Sequence, residues 1–100
     1  MPLKLLLSYA IDPAKVREYY DFVMKRYLPT MHSMGLEMIE AWATAYGDYP
    51  DRLVALAARD EQTMQDLFNN ELWTTLNEEL GEFVTDFNYK VVEYRPGFQL

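Results

Sequence analysis

The chain contains no cysteine. That excludes disulfides, thiolate metal sites and cysteine nucleophiles together, and it fits a reducing compartment, so a cytoplasmic location is the expectation. Histidine occurs once, at His32, which rules out a multi-histidine metal site within one chain. Long apolar runs are also missing. The longest near the N-terminus is Leu5–Leu7, too short for a signal-peptide core and far below the about 20 residues of a membrane-spanning helix. Positive charge is scarce: nine bases against sixteen acids leave 9 − 16 = −7. Seven acids and seven bases balance up to Arg59, and then eight acids and no base run from Asp60 to Asp86. Nucleic acid is therefore not an expected partner, because affinity for phosphate rests on clustered Lys and Arg. Phosphate-binding loops, dinucleotide glycine fingerprints and nucleophile elbows are all absent, and no cofactor or metal is expected.

What is present is apolar and aromatic. Half of the 100 residues are hydrophobic, eight are Tyr and two are Trp. A chain of this length reads as a single domain over residues 1–100 that can bury roughly two-thirds of its unfolded surface. Leu3 to Ile11 alternates with the period of a strand, Leu3, Leu5, Leu7 and Tyr9 on one face and Lys4, Leu6, Ser8 and Ala10 on the other. Asp12-Pro13 starts a helix, since Asp accepts from free N–H groups and Pro fits the first helical position. Val16, Tyr20, Val23 and Tyr27 predict its inward stripe. Pro29 predicts a kink or an end near Leu28, with a further turn to Met34, and Gly35 suits a left-handed cap.

Next come two strands joined by turn chemistry at Gly47-Asp48-Tyr49-Pro50-Asp51. The first puts Ile39, Ala41, Ala43 and Ala45 on one face and Glu40, Trp42, Thr44 and Tyr46 on the other; the second runs from Leu53 to Arg59. Asp60 is the expected cap of a second helix striped by Met64, Phe68, Leu72, Leu76 and Leu80, joined by Leu67 and Trp73, with Gly81 as its stop. Phe87 to Tyr94 alternates as a last strand. The order βαββαβ predicts an α+β, ferredoxin-like fold: a four-stranded antiparallel sheet with both helices on one face. Its other face would carry Leu6, Glu40, Trp42, Tyr46, Arg59, Val92 and Tyr94. A monomer rarely leaves such a patch in water, so these residues are the expected interface of a homodimer, with Glu40 and Arg59 as an available ion pair.

At this point the residues resemble the dimeric α+β barrel superfamily, and within it NIPSNAP-like domains. The resemblance rests on Tyr27-Leu28-Pro29, Gly35, Ala41-Trp42, Gly47-Asp48, Leu53-Val54 and Trp73. It spans the chain from the first strand to the last, and the first strand departs from it, reading Leu5-Leu6-Leu7-Ser8-Tyr9 where such domains often carry Glu-x-Arg. The resemblance implies two protomers packed sheet against sheet. Related folds serve as cofactor-free monooxygenases, haem-using enzymes, isomerases and binding domains, so fold alone does not choose among them.

Candidate chemistry is thin. His32 is conceivable as a lone general base, but its spacing places it off the apolar stripe, where a surface or capping role is the plainer reading. Tyr9, Tyr20, Tyr27 and Tyr89 project between helices and sheet opposite small alanines, which means either interlocked packing or a cavity walled by phenols. Glu78, Glu79 and Glu82 lie opposite the leucine stripe, as a solvated helix face does. The expected function is a non-catalytic domain for binding a small hydrophobic or aromatic molecule, or for assembly. The alternative is a cofactor-independent monooxygenase or isomerase acting on a small aromatic or polyketide-like compound, with His32 and a pocket tyrosine carrying protons.

Overall fold

In the computed structural model, residues 2–44 and 51–94 are described. Strand β1 (Leu3–Ile11) is central, flanked by β3 (Asp51–Ala58) and β4 (Val84–Glu93), with β2 (Glu37–Thr44) outside β3. All pairings are antiparallel and the order is β2-β3-β1-β4, the ferredoxin-like arrangement expected from βαββαβ. Leu5 and Leu7 are fully covered, and their register partners Leu56 and Val54 lie beside them on the helix face. The expected turn at Gly47 to Pro50, together with Ala45, Tyr46 and the tail Arg95 to Leu100, lies outside the described residues.

The first helical region departs from a regular helix in an informative way. Asp12 caps a short 3-10 turn (Pro13–Lys15) by accepting from the Ala14 N–H at 2.9 Å. Helix α1 (Val16–Phe22) then passes through a π turn (Val23–Tyr27) into α2 (Leu28–Ser33). Pro29 has no N–H to return to the Lys25 carbonyl and would crowd it in a regular helix. The chain widens one turn instead, and the Leu28 N–H bonds to the Val23 carbonyl five residues back. Tyr19 and Tyr27, eight residues apart, would stand about 80° apart on a regular 3.6-residue period; the extra residue in the π turn brings both inward, each 2% exposed. The expected stripe through Tyr20 is therefore corrected. Tyr20 stands at the margin, 42% exposed, and Tyr19, Tyr27 and Met31 form the buried line.

Gly35 ends α2 at φ +91°. Its N–H bonds to the His32 carbonyl at 3.0 Å and the next N–H, of Leu36, to Met31 at 3.0 Å, which together make a Schellman cap. In β2, Met38 pairs with Leu56 and Glu40 with Ala55, so Ile39 is an inserted residue and Met38 takes the helix-facing place expected for it. Strand β4 starts at Val84, earlier than the alternation from Phe87 suggests, because a second bulge beside Ser8 and Ala10 interrupts the period. Asp86, at φ +58°, absorbs it.

The second helix is likewise broken. Asp60 accepts from the Thr63 N–H at 2.8 Å and caps α3 (Glu61–Asn69), as expected. Asn70 then leaves helical geometry and accepts from the Leu72 N–H at 2.9 Å, capping α4 (Glu71–Leu80). The restart shifts the phase. Met64, Leu67, Trp73, Leu76 and Leu80 are buried, whereas Leu72 is exposed. No helix among the described residues is long and apolar enough to cross a membrane.

The Gly35 cap yields a stability test. A Cβ there would meet Thr63 Cγ2 at 2.8 Å in a left-handed conformation, so Gly35→Ala should cost about 1–2 kcal/mol in urea unfolding. Adding Thr63→Ser, which removes that methyl and keeps the hydroxyl that donates to Asp60, should recover part of the loss. Undiminished stability in Gly35→Ala would contradict the cap.

Candidate ligand cavity

The space left between the first helical region and the sheet is a cavity of about 120 Å³. Its floor is Leu7 and Tyr9 on β1, Val54 and Arg52 on β3, and Met38 and Ala41 on β2. Its roof is Tyr19, Tyr20 and Val23, followed by Met24, Tyr27 and Leu28. The sequence builds it through size mismatch: Ala41 is short where β2 passes beneath the helix, and the π turn holds Tyr19 and Tyr27 over the gap. Met24, Met38 and Tyr20 are 62%, 44% and 42% exposed, so apolar side chains at the rim face water. Flexible Met at such a rim suits an adaptable apolar contact.

Two hydroxyl arrangements organise the wall. Tyr9 and Tyr19 share a short hydrogen bond between their phenolic oxygens, with the rings edge-on at 5.7 Å. Tyr27 donates its hydroxyl to Asn77 Oδ1 at 2.8 Å, tying the roof to α4. Burial pushes all three phenols above their ordinary value, and for Tyr9 the neighbouring Tyr19 adds to the effect. Arg52 is half-buried, its guanidinium 5.1 Å from the centre of the Tyr20 ring. On the outer side of the roof, Arg26 grips the Glu79 carboxylate with two bonds, of 2.6 and 2.7 Å. That contact lowers the Glu79 pKa and raises that of Arg26.

Set against the sequence expectations, Tyr9, Tyr20 and Tyr27 come together here and Tyr89 does not. Tyr89 follows the helix face of β4 but packs on Phe68 and Trp73, at 5.5 and 5.3 Å, under α3 and α4. Tyr19 and Arg52 are the polar cavity residues that sequence reasoning missed, beside the apolar Met24, Leu28 and Met38. The alternation of β3 puts Arg52 in phase with Val54, which is the signal that could have found it. His32 is exposed on α2, away from the cavity lining, and its carbonyl serves the Gly35 cap. Glu79, expected on a solvated face, is instead the partner of Arg26. Among the described residues no group of three or more His, Asp or Glu side chains is placed to hold a metal ion.

On the sheet's open face, Trp42 and Leu53 are register partners, 46% and 37% exposed. Leu6, Glu40, Val92 and Tyr94 are half-buried there, and Lys4 Nζ lies 5.6 Å from the Tyr94 ring centre. The expected Glu40–Arg59 pair does not form. Glu40 stands opposite Ala55, while Arg59 lies beyond the end of β3 and approaches Asp60 at 3.8 Å. Tyr46 is outside the described residues.

Solved structures share this architecture. A NIPSNAP family protein from Agrobacterium tumefaciens superposes with a TM-score of 0.69 at 12% identity, covering 96% of this chain and 88% of that one. An uncharacterised NIPSNAP domain protein from Burkholderia xenovorans gives 0.68 at 13% identity, with 95% and 96% covered. SnoaB, a cofactor-independent oxygenase from Streptomyces nogalater, gives 0.69 at 7% identity, with 99% and 98% covered. No protein-family model and no curated protein sequence matches the chain. The likeness is one of fold, and it agrees with the NIPSNAP-like resemblance carried by the sequence.

The buried phenols set an alkaline limit. A folded-state pKa above the unfolded value of about 10 means stability that is complete below pH 10 and lost as pH rises further. The 295 nm phenolate signal of Tyr9, Tyr19 and Tyr27 should therefore appear only as circular dichroism is lost, with smaller amplitude in Tyr27→Phe. Complete tyrosine ionisation near pH 10 with structure intact would contradict the burial.

Proposed function

We propose that this chain is a small-molecule-binding domain of the dimeric α+β barrel type, taking a small aromatic or hydrophobic molecule in the tyrosine-walled cavity. The carrying observation is the cavity itself, apolar on most of its wall, rimmed by exposed Met24 and Met38, with a few polar groups converging on it. An apolar cavity of roughly 150 Å³ accepts one benzene ring, so the space of about 120 Å³ that opens here at the rim suits a ligand with a single ring. Binding is favoured over catalysis because the lining has no histidine and no carboxylate among the described residues, and phenols raised by burial are poor proton acceptors at neutral pH. A cytoplasmic setting fits a chain with no cysteine.

The homodimer is part of this reading. Trp42 on the edge strand β2 and Leu53 on β3 form an exposed apolar pair on an uncovered sheet face that also carries Leu6 and Val92. A second copy of the same face covers both pairs at once, and an isologous contact of this kind is the commonest form of assembly. Light scattering should give about twice the 11.8 kDa chain mass. Trp42→Glu should shift it to one chain mass or unfold the protein. A native monomer at micromolar concentration would remove the dimer.

For the cavity, 4-methylphenol serves as the probe. At ten times its Kd it should stabilise the protein by about 1.4 kcal/mol, several degrees in Tm for a domain of this size. In Val54→Phe, which fills the floor, the ligand-induced rise should vanish whatever the variant's own Tm. An equal rise in both proteins would place binding elsewhere.

A further inference from the structure

We propose that the cavity selects a hydrophobic carboxylate, its apolar body under the π turn and its carboxylate on Arg52 and the Tyr9–Tyr19 hydroxyl pair. This rests on the cavity being a binding site and names the ligand class. The argument is an inventory of donors. The Arg52 side chain forms no ion pair and no hydrogen bond with any described residue; its guanidinium lies over the face of Tyr20. A half-buried guanidinium thus keeps its fork of N–H donors uncommitted, among the described residues, at the cavity wall. In the Tyr9–Tyr19 pair either hydroxyl is the donor, and in both arrangements one phenolic O–H of the pair is left without an acceptor among the described residues. Tyr27 is already committed to Asn77. The uncommitted hydrogen-bonding capacity of the wall is therefore dominated by donors, one of them cationic, and its complement is an anionic acceptor.

The surroundings fix the side of approach. A second depression of about 260 Å³ shares Tyr9 and Arg52 with the cavity, and Asp51 and Asp86 form part of its wall. Those carboxylates repel an anion there, so the ligand's carboxylate reaches Arg52 from the tyrosine side. The net charge of −7 opposes any anion at long range. At 0.1 M salt that field is screened within about 10 Å, and the local cation decides.

The test compares 4-methylbenzoate with 4-methylbenzamide, equal in shape and different in charge at pH 7, by chemical-shift titration of the native protein and of Arg52→Gln and Arg52→Lys. The native protein should bind the benzoate at least tenfold more tightly than the benzamide, with shifts at Tyr9 and Tyr19. Arg52→Gln should abolish the preference, bringing the benzoate affinity down to that of the benzamide in the same variant, and Arg52→Lys should keep part of it. Equal affinity for the two probes in the native protein, or a preference that survives Arg52→Gln, overturns the carboxylate assignment while leaving the cavity reading intact. Binding of neither probe, nor of 4-methylphenol, overturns both.

Discussion

A proline inside a helix is the constraint on which the cavity depends. Pro29 withdraws one hydrogen bond from the helix interior, and the π turn at Val23–Tyr27 is how the chain absorbs it. That single wide turn rotates everything before it relative to everything after. It puts Tyr19 over the sheet in line with Tyr27, leaves Tyr20 at the rim, and lifts the roof where Ala41 leaves room below. A regular helix with the same residues would bring a different tyrosine to the sheet.

The roof stays in place because its outer side is tied down. Arg26 sits within the π turn and grips Glu79, and Tyr27 reaches past the roof to Asn77, so two contacts join the irregular turn to α4. The Arg26–Glu79 pair is half-exposed, and its worth lies more in fixing geometry than in bulk stability. With Tyr27 committed outward, the polar character of the interior passes to Arg52 and to the Tyr9–Tyr19 pair. Fold and chemistry are coupled through the same few side chains.

The sheet separates two roles. Its helix face supplies the core through Leu5, Leu7, Leu56 and Val54 and the cavity floor through Tyr9 and Arg52, while its open face carries Trp42 beside Leu53. Because the two faces alternate along each strand, a substitution on one leaves the other in place, and cavity and interface can be probed independently. The bulges at Ile39 and Asp86 keep both edge strands in phase with this division after their alternation slips.

Period and capping chemistry alone were enough to determine the strand and helix order, the ferredoxin-like topology, the Asp12, Asp60 and Gly35 caps and the faces of β1 and β3. Each of these depends on neighbours a few residues away. The tertiary structure decided the rest. A π turn, the restart at Asn70 and two strand bulges each insert or remove one residue of phase, and a pattern read at constant period cannot register such a shift; hence Tyr19 for Tyr20, Met38 for Ile39, and Leu72 left exposed beside the buried Leu67 and Trp73. The cavity, with Arg52 at its wall, and the Arg26–Glu79 grip exist only where segments distant in sequence meet, because volume and charge pairing are properties of the packed chain and not of its period.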